Sequence, residues 1–480
     1  MEIKGKNIIE LQRLIDAGSL TSYQLTLEYI KRITQFDFRG PQLNSICEMN
    51  PDALEIAASL DRERKIKGPR GLLHGMPILI KGNISTNDKM RTNAGSVALN
   101  DNFARHDAVV VSRLRAAGAV ILGKTNLTEF AHYMSSSMKN GYSSAGGQVL
   151  NPYGSSFDVS GSSSGSAVAV ACDFCAASVG TETAGSIICP SSNNNICGIK
   201  PTVGLVSRSG IIPICGQDSA GPMGRTIADC AIMLNEMVTP NDYSDPSTFF
   251  AKVSSEDYTH NLVPDSLRGM RIGVNRIRCE ADIFPADIED IFEHELDKIQ
   301  DAGAVLIDSD INYTGLENNI LSQSTLLYEF KSALEKYISQ YSSGSCRTLY
   351  DIVQYNNHHP KSALKYGQDI LEDALNSTSG KLIETAYWDM KIKAIEDGAA
   401  NGILKVIKDN NLDVIACAGY SNLPPITGFP AVSVPMGFSS SGLPVGMSFF
   451  AGPYQESTLI KVAFGYEQIT NHHKNPFLAP

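Results

Sequence analysis

The sequence predicts an α/β protein in which helices cover a largely buried β-sheet. Short apolar runs of strand type, such as residues 78–81 (ILIK), 414–416 (VIA) and 431–434 (AVSV), alternate with segments of helical character. A run that is apolar on nearly every residue indicates a strand that is buried on both faces. Alternation of such strands with helices is typical of layered α/β folds.

The first 67 residues are expected to form helices that pack on this sheet. Two helices are expected between residues 7 and 35, and the second begins at a capping box of Thr21 and Gln24. A third helix, rich in Ala, Leu, Arg and Glu, is expected over residues 52–67. The next expected elements are a strand at 78–81, a helix at 107–117 and a strand at 119–122.

A stretch that is dense in Ser and Gly covers residues 134–166. Such a composition is typical of flexible linkers, but this stretch runs directly into residues 167–171 (AVAVA), which have the pattern of a buried helix. We therefore expect an ordered, tightly turned loop that enters a helix. The remaining expected elements are a strand at 271–274, a helix at 286–302, a mainly helical segment at 320–410, strands at 414–416 and 431–434, and a last helix from about residue 456.

Composition and charge argue against several classes of function. The formal net charge is −11, whereas a general nucleic-acid binder needs a basic surface, so we expect no nucleic-acid partner. The sequence has neither a long apolar run nor an apolar secretory segment, so we expect no membrane association and a cytoplasmic location. Cys172 and Cys175 form a lone CxxC pair without further ligands, so we expect no zinc, no other metal and no cofactor.

Residues 118–125 match the P-loop pattern GxxxxGK[ST] to the letter. In a P-loop, the residues between the two glycines form a loop whose amides bind phosphate. Here those residues are Ala, Val, Ile and Leu, which is the pattern of a buried strand. We therefore interpret residues 119–122 as a strand, expect Lys124 and Thr125 to turn the chain out of it, and expect no nucleotide to bind there.

Three segments carry the residues from which we expect chemistry. Lys81 ends an apolar strand, and burial disfavours the charged form of a lysine, so its pKa is expected to fall. The loop at residues 160–166 (SGSSSGS) brings several hydroxyls close to the N-terminus of the following helix. In the third segment, residues 180–187 (GTETAGSI), small residues form a turn whose amides can converge on one point. Taken separately, each segment has an ordinary structural interpretation.

Together, these segments resemble the amidase signature family. GMPILIKGNI is similar to the family's catalytic-lysine strand, SGSSSGSAVAV to its GGSSGGSxAAV loop, and GTETAGSI to its GT[DE]xGGSI turn. Flanking segments such as CGIKPTVGLVSRSGIIP are similar too, and the resemblance covers residues 10–475. It implies a single amidase domain over residues 1–480, built on a large mixed β-sheet core that is covered by helices on both faces.

The resemblance implies a role for each matching side chain. Lys81 occupies the position of the family's base, Ser186 that of its nucleophile, and Ser162 that of a serine that carries a cis peptide bond and relays the proton. Ser163 matches a serine that supports the site. The family's oxyanion hole corresponds to the amides of Thr183, Ala184, Gly185 and Ser186. The implied function is hydrolysis of a carboxamide C–N bond through an acyl-enzyme on Ser186.

The resemblance also indicates where a small-molecule amide would bind. By analogy, we expect it near Met134, Ser135, Ser136, Tyr142, Gly147 and Gln148. Residues 310–400 are the least family-like segment and are expected to form a mainly helical insertion on the substrate side. For most of the insertion's aromatic residues we favour the core over the pocket; these are Tyr328, Phe330, Tyr350, Tyr387 and Trp388. A monomer or a homodimer is expected.

Five positions depart from the family's pattern. Ser164 and Asn195 stand where the family usually has glycine, and Ala184 stands where glycine or aspartate is common. Ser191 and Ser192 replace the usual alanines. The departures at 184 and 195 motivate one alternative, a non-catalytic binding protein. Two further alternatives are the glutaminase component of a tRNA-dependent amidotransferase and an acyltransferase that forms amides through the same acyl-enzyme. The GTET turn and the SRSGIIP segment favour a stand-alone amidohydrolase over the glutaminase component.

Overall fold

A computed structural model describes residues 3–213, 216–250, 256–277, 285–311 and 320–478, with the backbone alone for residues 320–324. Of the expected insertion at 310–400, residues 312–319 therefore lie outside the described part of the chain. The strands within the described residues are β1 (Ile46–Met49), β2 (Pro77–Lys81), β3 (Val120–Thr125), β4 (Tyr142–Ser143), β5 (Gly147–Gln148), β6 (Ala177–Glu182), β7 (Cys197–Lys200), β8 (Ser219–Gly224), β9 (Arg271–Val274), β10 (Val305–Asp308), β11 (Val414–Ala418), β12 (Ala431–Phe438) and β13 (Pro444–Phe450).

Eleven of the described strands form one sheet in the order β1-β3-β2-β6-β8-β7-β12-β13-β11-β9-β10. β4 and β5 pair only with each other. The large sheet is mixed, as expected: β2 runs parallel to β3 and β6, and β9 runs parallel to β10 and β11. The strands between these two parallel groups pair in antiparallel fashion.

The α-helices of the described residues are α1 (Ile8–Asp16), α2 (Ser22–Arg32), α3 (Ala53–Lys67), α4 (Val109–Ala116), α5 (Ser164–Ala171), α6 (Ile188–Asn193), α7 (Ile227–Met237), α8 (Ile288–Asp301), α9 (Ile320–Tyr341), α10 (Leu349–His358), α11 (Pro360–Ala363), α12 (Asp369–Asn376), α13 (Thr385–Lys393), α14 (Leu404–Asn410), α15 (Leu423–Thr427) and α16 (Glu456–Thr470). Two π-helical segments, Ile33–Asp37 and Ala394–Ile403, extend α2 and α13. Across these described residues, every helix falls short of the length and apolarity needed to cross a bilayer.

Helices cover both faces of the sheet, and β11 shows this most directly. Successive side chains of a strand point to opposite faces. Val414 and Ala416 belong to the main apolar core, into which α8 and α16 also pack. Ile415 and Cys417 belong to a separate cluster with residues of α6, α15 and the second π-helical segment. The predicted α/β architecture, with helices on both faces, is therefore confirmed.

The N-terminal elements follow the sequence closely. α1 and α2 fall within residues 7–35, and the predicted capping box is present, because the Thr21 side chain accepts from the Gln24 amide while the Gln24 side chain accepts from the Thr21 amide. α3, β2 and α4 also lie within two residues of their expected bounds. Strong local signals, namely a helix cap and a continuous apolar run, make these bounds predictable.

The P-loop-like segment contains the predicted strand, β3, and all six residues of the strand are buried. The expected turn at Lys124 and Thr125 is wrong, because the strand continues through Thr125. Lys124, which would face phosphate in a P-loop, is buried instead. Its Nζ donates to the Ile84 carbonyl oxygen and to Thr92 Oγ1 at 3.2 Å. Burial lowers the pKa of Lys124 to about 8. The side chain therefore ties β3 to the segment that follows β2.

The two thiols of the CxxC pair, Cys172 and Cys175, are free and buried. Burial raises the pKa of Cys175 to about 12 and holds that of Cys172 well above its ordinary value. Both groups are therefore neutral thiols at neutral pH. Within the residues that the structure describes, no group of three His, Cys, Asp or Glu side chains is placed to hold a metal ion.

The described part of the insertion is helical, as expected, and comprises α9 to α13 and the second π-helical segment. It forms a second apolar cluster with the loops that follow β2 and β3. The prediction that most of its aromatic residues belong to the core is only partly right. Phe330 and Tyr387 are buried and Tyr328 is half-buried, but Tyr350 and Trp388 are 56% and 51% exposed. The last two lie on the solvent sides of α10 and α13.

Candidate active site

Lys81 is the last residue of β2, near the middle of the parallel part of the sheet. β2 pairs in parallel with β6, so the carboxyl ends of these two strands lie at the same edge of the sheet. α5 packs on both strands, and the serine loop before it passes beside their ends. The turn after β6 leads into α6. The three segments singled out in the sequence therefore meet at one edge of the sheet.

The Lys81 amine is fully buried among uncharged oxygens. Its Nζ lies 2.8 Å from the hydroxyl oxygens of Ser162, Ser163 and Thr181, and 3.1 Å from the Thr181 carbonyl oxygen. No carboxylate of the described residues lies within ion-pair distance of it. A buried ammonium without a counter-ion is costly, so this environment favours the neutral amine.

The pKa of Lys81 reflects this environment. Burial lowers it to about 7, and the more distant Asp218 and Glu182 carboxylates, which raise it, offset only part of that effect. Near neutral pH, a large fraction of the amine therefore carries a free electron pair. A group of this kind can act as a general base at neutral pH.

The two serines that contact Lys81 differ in where their protons can go. The Ser163 hydroxyl donates to the Thr181 carbonyl oxygen at 3.0 Å and accepts from the Thr181 amide at 3.2 Å. Among the described residues, the Ser162 hydroxyl has Lys81 as its sole partner. Its proton is therefore the one that can pass to the lysine. The Gly161–Ser162 peptide bond is cis, as the resemblance implies.

Ser186 lies in the turn between β6 and α6 and is 5% exposed. Its carbonyl oxygen accepts from the Ser163 amide at 3.2 Å, which joins this turn to the serine loop. Its hydroxyl makes no hydrogen bond to any described residue, Ser162 included. The candidate nucleophile therefore lies beside the serine loop, without a hydrogen bond between the Ser186 and Ser162 hydroxyls.

The turn that contains Ser186 presents unpaired amides. Glu182 accepts from the amides of Ile187 and Ile188 at 2.8 and 3.0 Å, and so satisfies the first amides of the helical turn. In contrast, four preceding amides donate to no acceptor within the described chain; they are those of Thr183, Ala184, Gly185 and Ser186. Unpaired donors at the start of a helix are suited to a developing negative charge.

Sequence reasoning did not assign Gln217 or Asp218, although both contact this turn. Asp218 accepts from the Thr183 hydroxyl at 2.6 Å, and the Gln217 side-chain amide donates to the Thr183 carbonyl oxygen at 2.8 Å. They fix the first residue of the turn from the side of β8. The available signal was the family-like segment QDSAGPMGRT, but spacing alone could not show which side chain it reaches.

Comparison with known proteins identifies the family to which the chain belongs. A model of the amidase family matches residues 24–460. The chain belongs to the amidase family.

A probable amidase of Arabidopsis thaliana is 37% identical over 99% of this chain and 92% of its own. The peptide amidase from Stenotrophomonas maltophilia is 39% identical, with a TM-score of 0.94 over 99% of each chain. A glutamyl-tRNA(Gln) amidotransferase chain of Acinetobacter baumannii is 31% identical over 97% of this chain and 96% of its own. This amidase is accordingly an amide-hydrolysing enzyme.

Two of the amidase's departures from the family pattern have a structural explanation away from the turn. Ser164 Oγ donates to the Ser160 carbonyl oxygen at 2.5 Å, within the serine loop. Asn195 has a positive φ of 54°, and its side-chain oxygen accepts from the Lys474 amide at 2.7 Å, which anchors the C-terminal segment. Neither residue touches Lys81, Ser162 or Ser186. The exposed Ala184 is the departure that lies within the candidate site.

A cleft of about 210 Å³ opens next to the amidase's catalytic candidates. Its lining includes Thr181, which contacts Lys81, and Asp218, which contacts Thr183. Residues of α9 and of the segment around residues 208–213 also line it. The exposed surface of the cleft is mostly apolar, with contributions from Ile211, Pro213, Pro246, Tyr337 and Tyr341. Charged side chains also line it, namely Arg208, Asp218, Asp245 and Lys336.

The residues expected to bind substrate by analogy do not line this cleft. Ser135 donates to the Tyr366 carbonyl oxygen at 2.6 Å, and Ser136 donates to Asp369 at 2.6 Å, so both tie their loop to the insertion. The other members are Met134, which is buried, Tyr142, which packs edge-on against Tyr366, and Gly147 and Gln148 of β5. Their loop is linked to the serine loop, because Thr128, whose amide donates to the Ser162 carbonyl oxygen, accepts from the Gly141 amide at 2.9 Å.

Proposed function

We propose that this amidase hydrolyses a small carboxamide through an acyl-enzyme on Ser186, with Lys81 as the base and Ser162 as the proton relay. The observation that carries the proposal is the buried Lys81 amine, which is bonded to Ser162 and lies near the Thr183–Ser186 turn. Among the described residues, the amine has no counter-ion and the four amides of the turn have no acceptor. A base, a relay hydroxyl and a set of oxyanion donors are the parts that serine-dependent amide hydrolysis requires.

Acylation begins with neutral Lys81. The lysine takes the Ser162 proton as Ser162 takes the Ser186 proton, and Ser186 Oγ attacks the amide carbonyl carbon. The carbonyl oxygen becomes an oxyanion, which the amides of the Thr183–Ser186 turn stabilise. The proton then returns through Ser162 to the amide nitrogen, the C–N bond breaks, and ammonia or an amine leaves.

Deacylation repeats these steps with water as the nucleophile. Lys81 and Ser162 take a proton from the water, which attacks the acyl carbon, and the carboxylic acid leaves as the proton returns to Ser186 Oγ. If an amine attacks instead, the same acyl-enzyme gives a new amide, so acyl transfer is a side reaction of this mechanism.

The cleft supports a substrate with an apolar or aromatic group near the scissile amide. Its lining includes Ile211, Pro213, Tyr337 and Tyr341, together with Thr181, which contacts Lys81. We assign this cleft to the part of the substrate nearest the reacting carbonyl. The loop that carries Met134, Ser135, Ser136, Tyr142, Gly147 and Gln148 remains our proposal for more distant parts of the substrate, because it adjoins the serine loop.

A second candidate is glutaminase activity within a tRNA-dependent amidotransferase. It is favoured by the 31% identity to the glutamyl-tRNA(Gln) amidotransferase chain, which extends over nearly the whole sequence. The higher identity to a stand-alone peptide amidase favours the first candidate. The exposed surface of the cleft is mostly apolar, which suits an apolar group better than the polar side chain of glutamine.

A substrate screen tests both candidates. Purified enzyme is incubated with C-terminally amidated dipeptides that end in leucine, phenylalanine or glutamate, with free glutamine and with carboxylic esters, and the released ammonia or alcohol is measured. We expect hydrolysis of amides with apolar groups, which Ser186→Ala lacks. Turnover of glutamine alone would favour the amidotransferase component. No turnover, together with no labelling by an alkyl fluorophosphonate, would favour a non-catalytic binding protein.

The pH dependence of kcat/KM is expected to follow the Lys81 amine. The protonated lysine has no electron pair for the Ser162 proton, so activity should fall as the pH drops below the Lys81 pKa of about 7. Asp218 raises that pKa, so Asp218→Asn should move the acidic limb of the profile to lower pH. Initial rates over a pH series check both statements. A wild-type profile that is flat through neutral pH would contradict the base assignment.

Gly185→Ala is expected to lower kcat/KM for amide hydrolysis by about 10²-fold, the usual cost of losing one oxyanion donor. Gly185 has a positive φ of 81°, and a Cβ atom there would lie 2.5 Å from Cys189 Sγ and 3.2 Å from the Tyr420 ring. The turn must therefore move, and its amides move with it. Steady-state kinetics check this, with the adjacent Ala184→Gly, at an exposed position, as a control that should stay within about threefold of wild type.

A further inference from the structure

Glu329 of α9 joins the helical insertion to the segment that precedes β8. Its carboxylate accepts from the Gly216 amide at 2.5 Å, from the Tyr387 hydroxyl at 2.7 Å and from the Lys391 amine at 2.9 Å. The side chain is almost fully buried. Burial raises its pKa, but Lys391, the Gly216 amide and the Tyr387 hydroxyl outweigh that effect and hold the pKa below its ordinary value. Glu329 is therefore an anion at neutral pH.

The Gly216 amide connects Glu329 to the candidate oxyanion turn. The two residues after Gly216 are Gln217 and Asp218, and both bind Thr183, at 2.8 and 2.6 Å. A continuous chain of contacts therefore runs from α13 through Glu329 and residues 216–218 to the first residue of the turn. Most of its links are hydrogen bonds to a charged carboxylate, and such bonds fix geometry more strongly than neutral ones.

The same face of α9 forms a wall of the cleft. Glu329, Ala333, Tyr337 and Tyr341 follow one another at four-residue intervals, and residues at this spacing lie on one face of a helix. The last three of them line the cleft, and so do Gly216 and Asp218. Through the Gly216 amide, Glu329 therefore joins two segments that line the cleft.

We propose that Glu329 is a positioning residue that holds residues 216–218, and through them the amides of the Thr183–Ser186 turn, in the geometry that stabilises the oxyanion. This inference rests on the proposed function, because it concerns the oxyanion turn of that reaction. Glu329 acts at a distance: it binds the Gly216 amide and touches neither Lys81 nor Ser186. Small displacements of oxyanion donors have large effects on rate, since the donors act on charge that exists only in the transition state.

The test uses Glu329→Gln and an alkyl fluorophosphonate, which phosphonylates the nucleophilic serine and places its P=O oxygen in the oxyanion site. The final extent of labelling counts competent active sites, and the rate of labelling reports on the oxyanion site itself. The glutamine side chain would place an NH₂ group against the Gly216 amide or the Lys391 amine, so one bond is lost. We expect full labelling at a rate about tenfold lower, and kcat per labelled site lower by a similar factor, with KM nearly unchanged.

A purely structural role gives a different result, namely fewer labelled sites and a lower Tm, with a wild-type rate at each labelled site. That result would overturn the inference. Glu335→Gln is the matched control, because Glu335 lies on the same helix and accepts from the Leu349 amide at 3.3 Å, away from residues 216–218. It should label at the wild-type rate.

If Glu329→Gln does not fold, Glu329→Asp carries the test. This variant keeps the negative charge beside Lys391, but its shorter side chain withdraws from the Gly216 amide. A reduced labelling rate with full extent supports the inference, and a wild-type rate overturns it. Failure of the proposed function is distinct from both outcomes, because the wild-type enzyme itself would then show no labelling that depends on Ser186.

Discussion

Ser186→Ala is expected to reduce kcat/KM for amide hydrolysis by about 10⁶-fold, as when the nucleophile of a serine hydrolase is removed. The alanine has no atom that can form the acyl bond, whereas the turn amides and the cleft remain. Substrate binding should therefore persist while turnover stops. Mass spectrometry after treatment with an alkyl fluorophosphonate checks the assignment directly, since the wild type should gain one phosphonyl group at Ser186 and the variant none.

Ser164→Ala provides the matched control for this experiment. Ser164 lies in the serine loop and is buried, but its hydroxyl donates to the Ser160 carbonyl oxygen and contacts none of the candidate catalytic side chains. Its kcat/KM should stay within about tenfold of the wild type. Persistent labelling of Ser186→Ala at another serine, with activity retained, would show that a different nucleophile acts.

Much of the fold was predictable because its signals are local. The apolar run at residues 78–81 indicates a buried strand without reference to the rest of the chain, and the capping box at Thr21 and Gln24 sets a helix start. The order of the strands in the sheet, in contrast, could not be predicted. β12 and β13 enter the sheet between β7 and β11, and this order depends on pairing between distant segments that no single stretch of sequence reveals.

The candidate site was predictable to the extent that its residues lie in recognisable segments. Lys81, Ser162 and Ser186 each occupy a segment of that kind, and the structure brings the three segments to one edge of the sheet. Gln217, Asp218 and Glu329 could not be assigned in this way. Their roles arise from contacts with Thr183 and with the Gly216 backbone, and those contacts depend on how the insertion packs on the sheet.

The substrate side was the least predictable part for the same reason. The cleft is formed by α9 and by residues around 208–218, which are more than 100 positions apart in sequence. Aromatic residue type was also a poor guide to burial in the insertion, because Tyr350 and Trp388 lie on the solvent side of their helices. Aromatic composition indicates neither which face of a helix is covered nor what covers it.

Lys81→Met is expected to lower kcat/KM by at least about 10³-fold, within the range for loss of a general base, and to leave the fold intact. Methionine keeps an unbranched side chain in the buried space but cannot accept the Ser162 proton. The variant should still bind substrate, and its residual rate should lose the wild-type dependence on pH near neutrality, because the group that titrates there is gone. Circular dichroism and Tm establish folding, and stopped assays over a pH series measure the rate.

Lys124→Met separates the chemistry of Lys81 from the general effect of removing a buried lysine. Both side chains are fully buried on neighbouring strands, and burial lowers both pKa values, to about 7 for Lys81 and about 8 for Lys124. Lys124, however, contacts the Ile84 carbonyl oxygen and Thr92, so its loss should lower Tm and leave the activity of each folded molecule close to the wild type. Equal losses of activity in the two variants would mean that burial of the amine, and not its position beside Ser162, explains the effect. A loss confined to Lys81→Met would identify the amine as the base, since Lys81 is bonded to Ser162 in the loop beside the Ser186 turn, whereas Lys124 contacts Ile84 and Thr92.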